Sequence, residues 1–421
     1  MRPEPPSPGP SIPSSVVRPA IVYALLFGAV GAYIPYLSVY LSSKGLDLGT
    51  IGALIALQAT VSLVAAPSWG ALADRRGDVR GPILVATVLS AGAAILFALV
   101  SGPVLLAASI ALLAAGASGI TPMVDSRAVR LVGHRDRFGR ARAWGSAAFI
   151  AIAFASGAAI GRFGPVGMFA LYGPLLVATG LAAFVLLRMP GEDLAGAGRS
   201  PGARSRSRGT AAALSAFSLT TIVGAIRQPV IGLFFVASIV VWTAFATLQT
   251  FVSLRVIQLG GDATVVGATW SIGALTEIPL MLAFPNLARR FGAERLVLVG
   301  AVAFGLRAAG VALVSAPWLI VAVSPLGGIG FAFFYVGTVT WVAGALPREV
   351  QATAQGVFTG TAVSMGAIGG SIIGGLIGGA FSLPVLFTVA AVGHAFGAVI
   401  VWRAIGRRRA ELDGRVSPAA R

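Results

Sequence analysis

The chain has 421 residues, of which 57% are hydrophobic and only 11% are charged. Soluble domains carry about 25% charged residues, so this composition excludes an ordinary water-soluble protein. There is no cysteine, which excludes a disulfide framework and a thiolate metal site. The net charge of +17 would suit nucleic acid, but the arginines lie in short segments between apolar runs, which argues against that partner.

Apolar runs of about 20 residues recur along the chain, each long enough to cross about 30 Å of hydrocarbon as a helix. A proline-rich stretch precedes the first run, and we predict a disordered tail over residues 1–19 rather than a cleavable signal. In chain order the runs predict twelve membrane spans, at residues 20–42, 50–72, 82–100, 104–125, 143–161, 166–187, 229–253, 264–286, 296–314, 318–343, 354–379 and 382–403. The predicted fold class is therefore an all-α membrane protein.

The twelve predicted spans fall into two groups of six. Residues 188–228 are rich in Gly, Ser and Arg and predict a flexible basic linker between an N-terminal half, 20–187, and a C-terminal half, 229–403. A basic tail, 404–421, follows. The loop after span two resembles the loop after span eight, and aligning Arg75 with Arg290 and Gly77 with Gly292 gives one offset of 215 residues. These features predict an internal duplication.

The basic residues are distributed unevenly between the two sides of the predicted bundle. With the N-terminus inside, cytoplasmic segments hold 27 of the 31 Lys and Arg residues. Lys44, Arg162 and Arg255 fall in predicted external loops, and Arg307 falls within a span. The positive-inside rule then predicts a multi-pass protein of the cell membrane with both termini cytoplasmic. Anionic lipid is a sufficient partner for the arginine-rich loops.

The loop after span two carries a motif of the major facilitator superfamily. Gly70, Asp74, Arg75 and Gly77 match its signature G-x-x-x-D-R-x-G, although Asp78 stands where a basic residue usually follows. The chain thus resembles that superfamily, and the resemblance implies a gating loop that stabilises an outward-facing state. The alternative is an ordinary short cytoplasmic loop with a helix stop.

A closer resemblance extends over most of the chain. GAYIPYLSVYL in span one, PMVDS and FGRARAWG around spans four and five, and GLRAAG in span nine are similar to segments of the lactose permease and of related nucleoside and phenylpropionate permeases. The resemblance implies that Asp125 and Arg142 form a substrate-binding pair and that Arg307 serves coupling. Span ten departs from the lactose permease, because Gly327 and Gly328 lie where a histidine is expected.

Ionisable residues inside predicted spans are candidates for function, because each costs about 2.5–3.5 kcal/mol to insert. Glu277 lies near the middle of span eight and Arg307 near the middle of span nine. Glu277 can carry a proton whose affinity depends on an approaching cation, which predicts proton coupling. A static ion pair between two helices is the alternative.

The remaining candidates are less distinctive. By spacing alone, Asp125 and Arg142 read as the ends of a basic cytoplasmic loop, and only the family resemblance favours substrate binding. Tyr36, Gln58 and Trp270 can line a cavity and contact a ring-shaped solute, or they can simply pack. The G-x-x-x-G spacings of span eleven predict close helix packing.

Two kinds of transporter remain compatible with these observations. An enzyme is disfavoured because no nucleophile motif or metal-ligand cluster is present, and we expect no cofactor. We expect a monomeric secondary transporter that moves a small solute by alternating access. The favoured hypothesis is proton symport of a sugar, nucleoside or aromatic acid, and the alternative is proton-antiport efflux of drugs or metabolites.

Overall fold

The structure, a computed structural model, describes residues 14–133, 135–189, 229–345 and 351–416, and these residues contain helices and no strand. Twelve of the described helical segments are long and apolar enough to cross a membrane. We number them span 1 to span 12: Ser15–Ser43, Leu48–Arg76, Arg80–Leu99, Pro103–Val132, Arg137–Phe163, Gly167–Leu186, Pro229–Gln258, Ala263–Phe291, Ala293–Leu313, Pro317–Val342, Gly360–Ala380 and Leu383–Arg408. The predicted all-α membrane fold with twelve spans is confirmed.

Several spans consist of more than one helix or belong to a longer one. Span 1 comprises helices Ser14–Tyr33 and Leu37–Ser43 joined by the 3-10 turn Ile34–Tyr36, span 4 comprises Pro103–Ala117 and Ile120–Val132, and span 10 comprises Pro317–Val323 and Pro325–Ala345. The helices of spans 5, 11 and 12 are Arg135–Phe163, Gln351–Ala380 and Leu383–Val416. Each of the other spans is a single helix with the bounds given above.

The ends of the helices differ from the predicted boundaries in three places. The first helix begins at Ser14, inside the stretch predicted as a disordered tail, and the last runs on to Val416, inside the predicted basic tail. The segment between predicted spans four and five is mostly helical, because Ile120–Val132 and Arg135–Phe163 extend into it. The interpretation of that segment as a loop is therefore wrong. Residues 1–13 and nearly all of the predicted linker, 190–228, lie outside the described residues.

The internal repeat is visible in the way spans 2 and 8 begin and end. Each has 29 residues and follows an aspartate whose side chain accepts a hydrogen bond from a backbone N–H three residues on, Asp47 from Thr50 and Asp262 from Val265. Such an N-cap satisfies a helix donor that would otherwise lack a partner. The hydrogen bond from the Thr50 hydroxyl also lowers the pKa of the Asp47 carboxyl. Asp47 and Asp262 are separated by the same 215 residues as the glycines after each span.

Glycines bring span 11 close to its neighbours. A Cβ on Gly366 would lie 2.6 Å from the Trp242 Cβ of span 7, and one on Gly374 would lie 2.8 Å from the Phe251 ring. On another face, a Cβ on Gly375 would lie 3.1 Å from the Cα of Gly52 in span 2. The G-x-x-x-G spacing of span 11 thus allows close helix packing, as predicted.

The two six-helix halves meet at one end of the bundle. We call the end where span 1 begins the termini end, and the end that carries Asp47 and Asp262 the far end. At the far end Gly52 touches Gly375, and Gly157 of span 5 packs against the backbone of Ala263 in span 8. Nearer the termini end of spans 2 and 11, an added Cβ on Gly70 or Gly360 would meet nothing within 4 Å. The halves are therefore joined at the far end, whereas Gly70 and Gly360 make no such close contact nearer the termini end.

Candidate functional site

A cavity of about 300 Å³ lies between the two halves. Spans 1, 2, 7, 8 and 11 line it, and its surface is mainly apolar with a few amide and hydroxyl groups. The polar or aromatic lining residues are Ser38, Gln58, Ser62, Trp242, Phe245, Gln249, Thr250, Trp270 and Ser371. Its volume and chemistry suit a small ring-shaped solute, which stacks on aromatic rings and exchanges hydrogen bonds with a few fixed polar groups.

A smaller cavity of about 150 Å³ continues from the first, with Phe245, Gln249 and Trp270 common to both. Glu277 and Arg307 both line this second cavity, so the structure brings together the two ionisable residues that the sequence singled out. Among the described residues they form no ion pair within 4 Å.

Arg307 lies deep in the wall of the second cavity. The residue is only 5% exposed, and its Nη1 donates to the side-chain oxygen of Gln249 at 3.0 Å. Its Nε is buried and has no hydrogen-bond partner among the described residues. Gly327 leaves room for the guanidinium, because a Cβ there would lie 2.6 Å from Nη1. The buried cation therefore contacts a neutral amide rather than an acid.

Asp125 and Arg142 form the ion pair that the resemblance implied. Arg142 Nη1 donates to both carboxylate oxygens, at 2.8 and 3.0 Å. The Tyr23 hydroxyl donates to the same carboxylate at 2.5 Å, and the guanidinium lies over the rings of Tyr23 and Phe27. The pair is partly exposed and is not among the residues lining the two cavities. Span 5, which carries Arg142, packs against span 8, which carries Glu277.

The three smaller candidates have different surroundings. Gln58 lines the larger cavity and accepts a hydrogen bond from Tyr33. Trp270 lines both cavities, and its indole N–H donates to Ser253. Tyr36 is buried, does not line either cavity, and donates toward the backbone oxygens of Ala153 and Ala263. Tyr36 thus contributes to the closed far end of the bundle.

Hydrogen bonds join the two halves around Tyr36. The Ser253 hydroxyl of span 7 donates to the Pro35 carbonyl of span 1 at 2.7 Å. The Ser271 hydroxyl of span 8 donates to the Ile150 carbonyl of span 5 at 2.9 Å. Together with the glycine contacts, these bonds close the far end.

The residues of the signature motif lie near the termini end. Gly77 ends span 2 with φ +68°, a left-handed conformation that glycine adopts readily. Gly70, Asp74 and Gly77 line a groove of about 260 Å³ that they share with Arg130. The Asp74 side chain forms no hydrogen bond or ion pair with any described residue.

Sequence reasoning missed several residues of the cavities. Gln249 was not singled out, although it lines both cavities and accepts the hydrogen bond from Arg307. The sequence did contain a signal for Gln249, because an amide side chain in the middle of an apolar span is unusual, as it is at Gln58. Trp242 and Phe245 gave no such signal, because aromatic residues are common in apolar spans.

The profile of the MFS_1 like family matches residues 16–389, which covers most of the chain. The chain belongs to the major facilitator superfamily. This protein is thus a secondary transporter of that superfamily, and its twelve spans make it a multi-pass membrane protein.

Two curated relatives are similar to this transporter over most of its length. A maltose permease of Geobacillus stearothermophilus is 27% identical over 359 residues, which cover 85% of this chain and 86% of the relative. The transporter YwbF of Bacillus subtilis (strain 168) is 23% identical over 338 residues, or 79% of each chain.

Solved structures of other transporters share the fold. The nucleoside transporter NupG superposes with a TM-score of 0.77 at 17% identity, covering 93% of this chain and 99% of its own. The POT family transporter PepTSo superposes with a TM-score of 0.68 at 13% identity, covering 95% and 99%. At these identities the likeness concerns the architecture alone.

Proposed function

We propose that this protein couples the uptake of a small ring-shaped solute to the entry of protons across the cell membrane, with both termini in the cytoplasm. The solute class is a sugar, a nucleoside or an aromatic acid. The observation that carries the proposal is a carboxyl group, Glu277, in the cavity that continues from the aromatic-lined space between the halves. The similarity to a maltose permease supports a small ring-shaped solute.

Glu277 is the group proposed to bind the coupling proton. It forms no hydrogen bond or ion pair with the described residues, so its carboxylate is free to accept a proton from the cavity. Arg307 lies across the same cavity, and Arg142 lies on span 5, which packs against span 8. A shift of span 8 relative to either arginine would change the proton affinity of Glu277, because a nearby cation favours the ionised carboxylate. This is how alternating access is proposed to become linked to protonation.

The driving force is sufficient for accumulation of the solute. One charge that crosses 100 mV yields about 2.3 kcal/mol, and one pH unit yields about 1.4 kcal/mol. A hundredfold accumulation requires about 2.7 kcal/mol. A single proton per molecule of a neutral solute therefore suffices. The basic segments at the termini end are proposed to contact anionic lipid, and the transporter is proposed to act as a monomer.

Uptake into proteoliposomes tests this function with Glu277→Gln. The substitution keeps the size of the side chain and removes its titration, so we expect loss of accumulation driven by a proton gradient but retention of solute exchange at equal concentrations. Glu294→Gln is the matched control, because Glu294 pairs with Arg408 away from both cavities, and it should accumulate solute normally. Accumulation by Glu277→Gln would refute the role of Glu277. Solute expulsion driven by an inward proton gradient would establish antiport instead.

A further inference from the structure

Arg307 is a buried cation whose surroundings contain no described acid within ion-pair distance. Arginine stays charged in proteins, and an unpaired charge in an apolar interior is costly. Gln249 satisfies one of the five N–H donors of the guanidinium. His394, on span 12 behind Arg307, is likewise buried and offers no negative charge. Because no acid lies within ion-pair distance, the guanidinium can bind an anion that enters the second cavity.

The space in front of Arg307 is available to such an anion. Spans 8, 9 and 10 contribute to the second cavity, and Gly327 and Gly328 of span 10 contribute no side chain to it. The aromatic rings of Phe149, Phe245, Trp270 and Phe331 form much of the remaining wall. A guanidinium beside a set of aromatic rings is complementary to a ring-shaped solute that carries a carboxylate.

We propose that Arg307, held by Gln249, binds a carboxylate of the transported solute, which narrows the solute to a ring compound with a negative charge. This inference rests on the proposed function, since it concerns the same solute in the same cavity. The solute carboxylate, rather than Glu277, is then the counter-ion of Arg307 during transport.

The charges around the cavity predict how many protons accompany each solute molecule. The helices that pack against span 8 bring Arg142 from span 5 and Arg307 from span 9, whereas span 10 has no charged residue. Asp125 is paired with Arg142, so two acids, Asp125 and Glu277, face two arginines and the region is neutral. A bound monocarboxylate adds one negative charge, which one proton on Glu277 removes. Uptake of the solute with one proton is then electroneutral.

Binding to the purified full-length protein tests the inference with three matched pairs of solutes: glucuronate and glucose, orotidine and uridine, phenylacetate and phenylacetamide. In at least one pair we expect the carboxylate to bind at least tenfold more tightly than its neutral partner. Arg307→Gln should lower that affinity about 10- to 100-fold, since a charge-assisted hydrogen bond is lost. Arg307→Lys should retain part of the preference.

Two glycine variants distinguish a loss of affinity caused by displacement of Arg307 from one caused by a general effect on folding. Gly327→Ala should lower carboxylate affinity as Arg307→Gln does, because the new methyl group would displace the guanidinium. Gly369→Ala of span 11 is the control, since its Cβ would lie 3.9 Å from Thr243, an ordinary contact. Equal carboxylate binding by Gly327→Ala and Gly369→Ala would contradict the inference, as would carboxylate preference in Arg307→Gln or no binding by any carboxylate.

Transport of the same pairs distinguishes failure of this inference from failure of the proposed function. A carboxylate should accumulate about tenfold for one pH unit, with no further effect of an imposed membrane potential. Proton-driven accumulation of a neutral solute, unaffected by Arg307→Gln, would overturn the inference and leave the proposed function intact. Arg307-dependent carboxylate binding without any accumulation would support the inference and refute the proposed function.

Discussion

The hydrogen bond from Ser253 to Pro35 is the clearest target for shifting the conformation of the transporter. Ser253 is 1% exposed, and its hydroxyl crosses from span 7 to the backbone of span 1 at the closed far end. The same hydroxyl accepts the indole N–H of Trp270 at 3.1 Å. Ser253→Ala leaves the Pro35 carbonyl and the Trp270 N–H buried without this partner in the closed conformation.

The size of the effect follows from the cost of an unsatisfied buried polar group, about 1–3 kcal/mol. If both groups reach water when the far end opens, the penalty falls on the closed conformation alone. The ratio of closed to open molecules should then fall about 5- to 150-fold. We expect Ser253→Ala to open toward the far end more often, while its fold and its expression remain close to those of the parent.

A single introduced cysteine can report this opening, because the chain has no native cysteine. Ala367 lines the larger cavity, which the far-end contacts separate from that face. In Ala367→Cys, an impermeant maleimide added on the far-end face reacts when the far end opens, so its labelling rate follows the open population. As long as the open conformation remains a small fraction of the molecules, Ser253→Ala should raise that rate by the same factor, about 5- to 150-fold.

Ser238→Ala is the matched control for this experiment. Ser238 is also buried and lies on the same helix, but its hydroxyl donates to the Phe234 carbonyl of that helix at 2.9 Å. Removal of this hydroxyl breaks no hydrogen bond between the halves, so the labelling rate should stay the same. An equal rise in both serine variants, or no rise in Ser253→Ala, would refute the assignment of the Ser253 bond to the closed far end.

Two further predictions concern orientation and gating. Ser43→Cys, at the far end, should react with an impermeant maleimide in intact cells, whereas Arg76→Cys, at the termini end, should react only after permeabilisation; the opposite pattern would reverse the proposed orientation. If Asp74 is a gating residue, Asp74→Asn should leave solute affinity in detergent unchanged but slow turnover in proteoliposomes, because Asp74 lies in the groove near the termini end, outside both cavities, and has no side-chain partner among the described residues. Loss of affinity in Asp74→Asn would contradict a purely gating role.

Local signals account for the parts of the fold that the sequence predicted. The length of each apolar run defines a span without reference to its neighbours, and an aspartate or a glycine marks where a helix begins or ends. Asp47 and Gly77 enclose span 2 in this way. Such signals act within a few residues, so they are readable in a single sequence, and so is their repetition in the second half.

Charged residues with long side chains were the main source of error. Arg255 was assigned to an external loop, but it is buried at the end of span 7, and its guanidinium donates to the Val314 carbonyl at 3.0 Å. Arg127, which read as part of a basic loop, is buried and donates to the Leu187 carbonyl at 2.7 Å. An arginine can satisfy helix-end carbonyls as well as face water, and its residue type does not say which.

Contacts between distant spans were the other limit on prediction. Glu277 and Arg307 lie on consecutive spans, which suggested an ion pair, yet Arg307 hydrogen-bonds Gln249 of span 7. Span order does not specify which helices face each other across a cavity. The pairing of Asp125 with Arg142 was expected from the family resemblance and not from spacing, since both residues lie near the ends of apolar runs.

The length of span 2 has a mechanical consequence. Its helix is continuous from Leu48 to Arg76, and at about 1.5 Å per residue it is roughly 40 Å long, more than the hydrocarbon thickness. Gly52, close to one end, packs tightly against Gly375 of span 11, so a tilt of the helix about this contact would have its pivot near the far end. A tilt of about 10° about that point would move Arg76 by roughly 6 Å. Span 8 has the same length and also packs against the other half at its far end, where Gly157 meets Ala263, so the same tilt would move its other end by a similar distance.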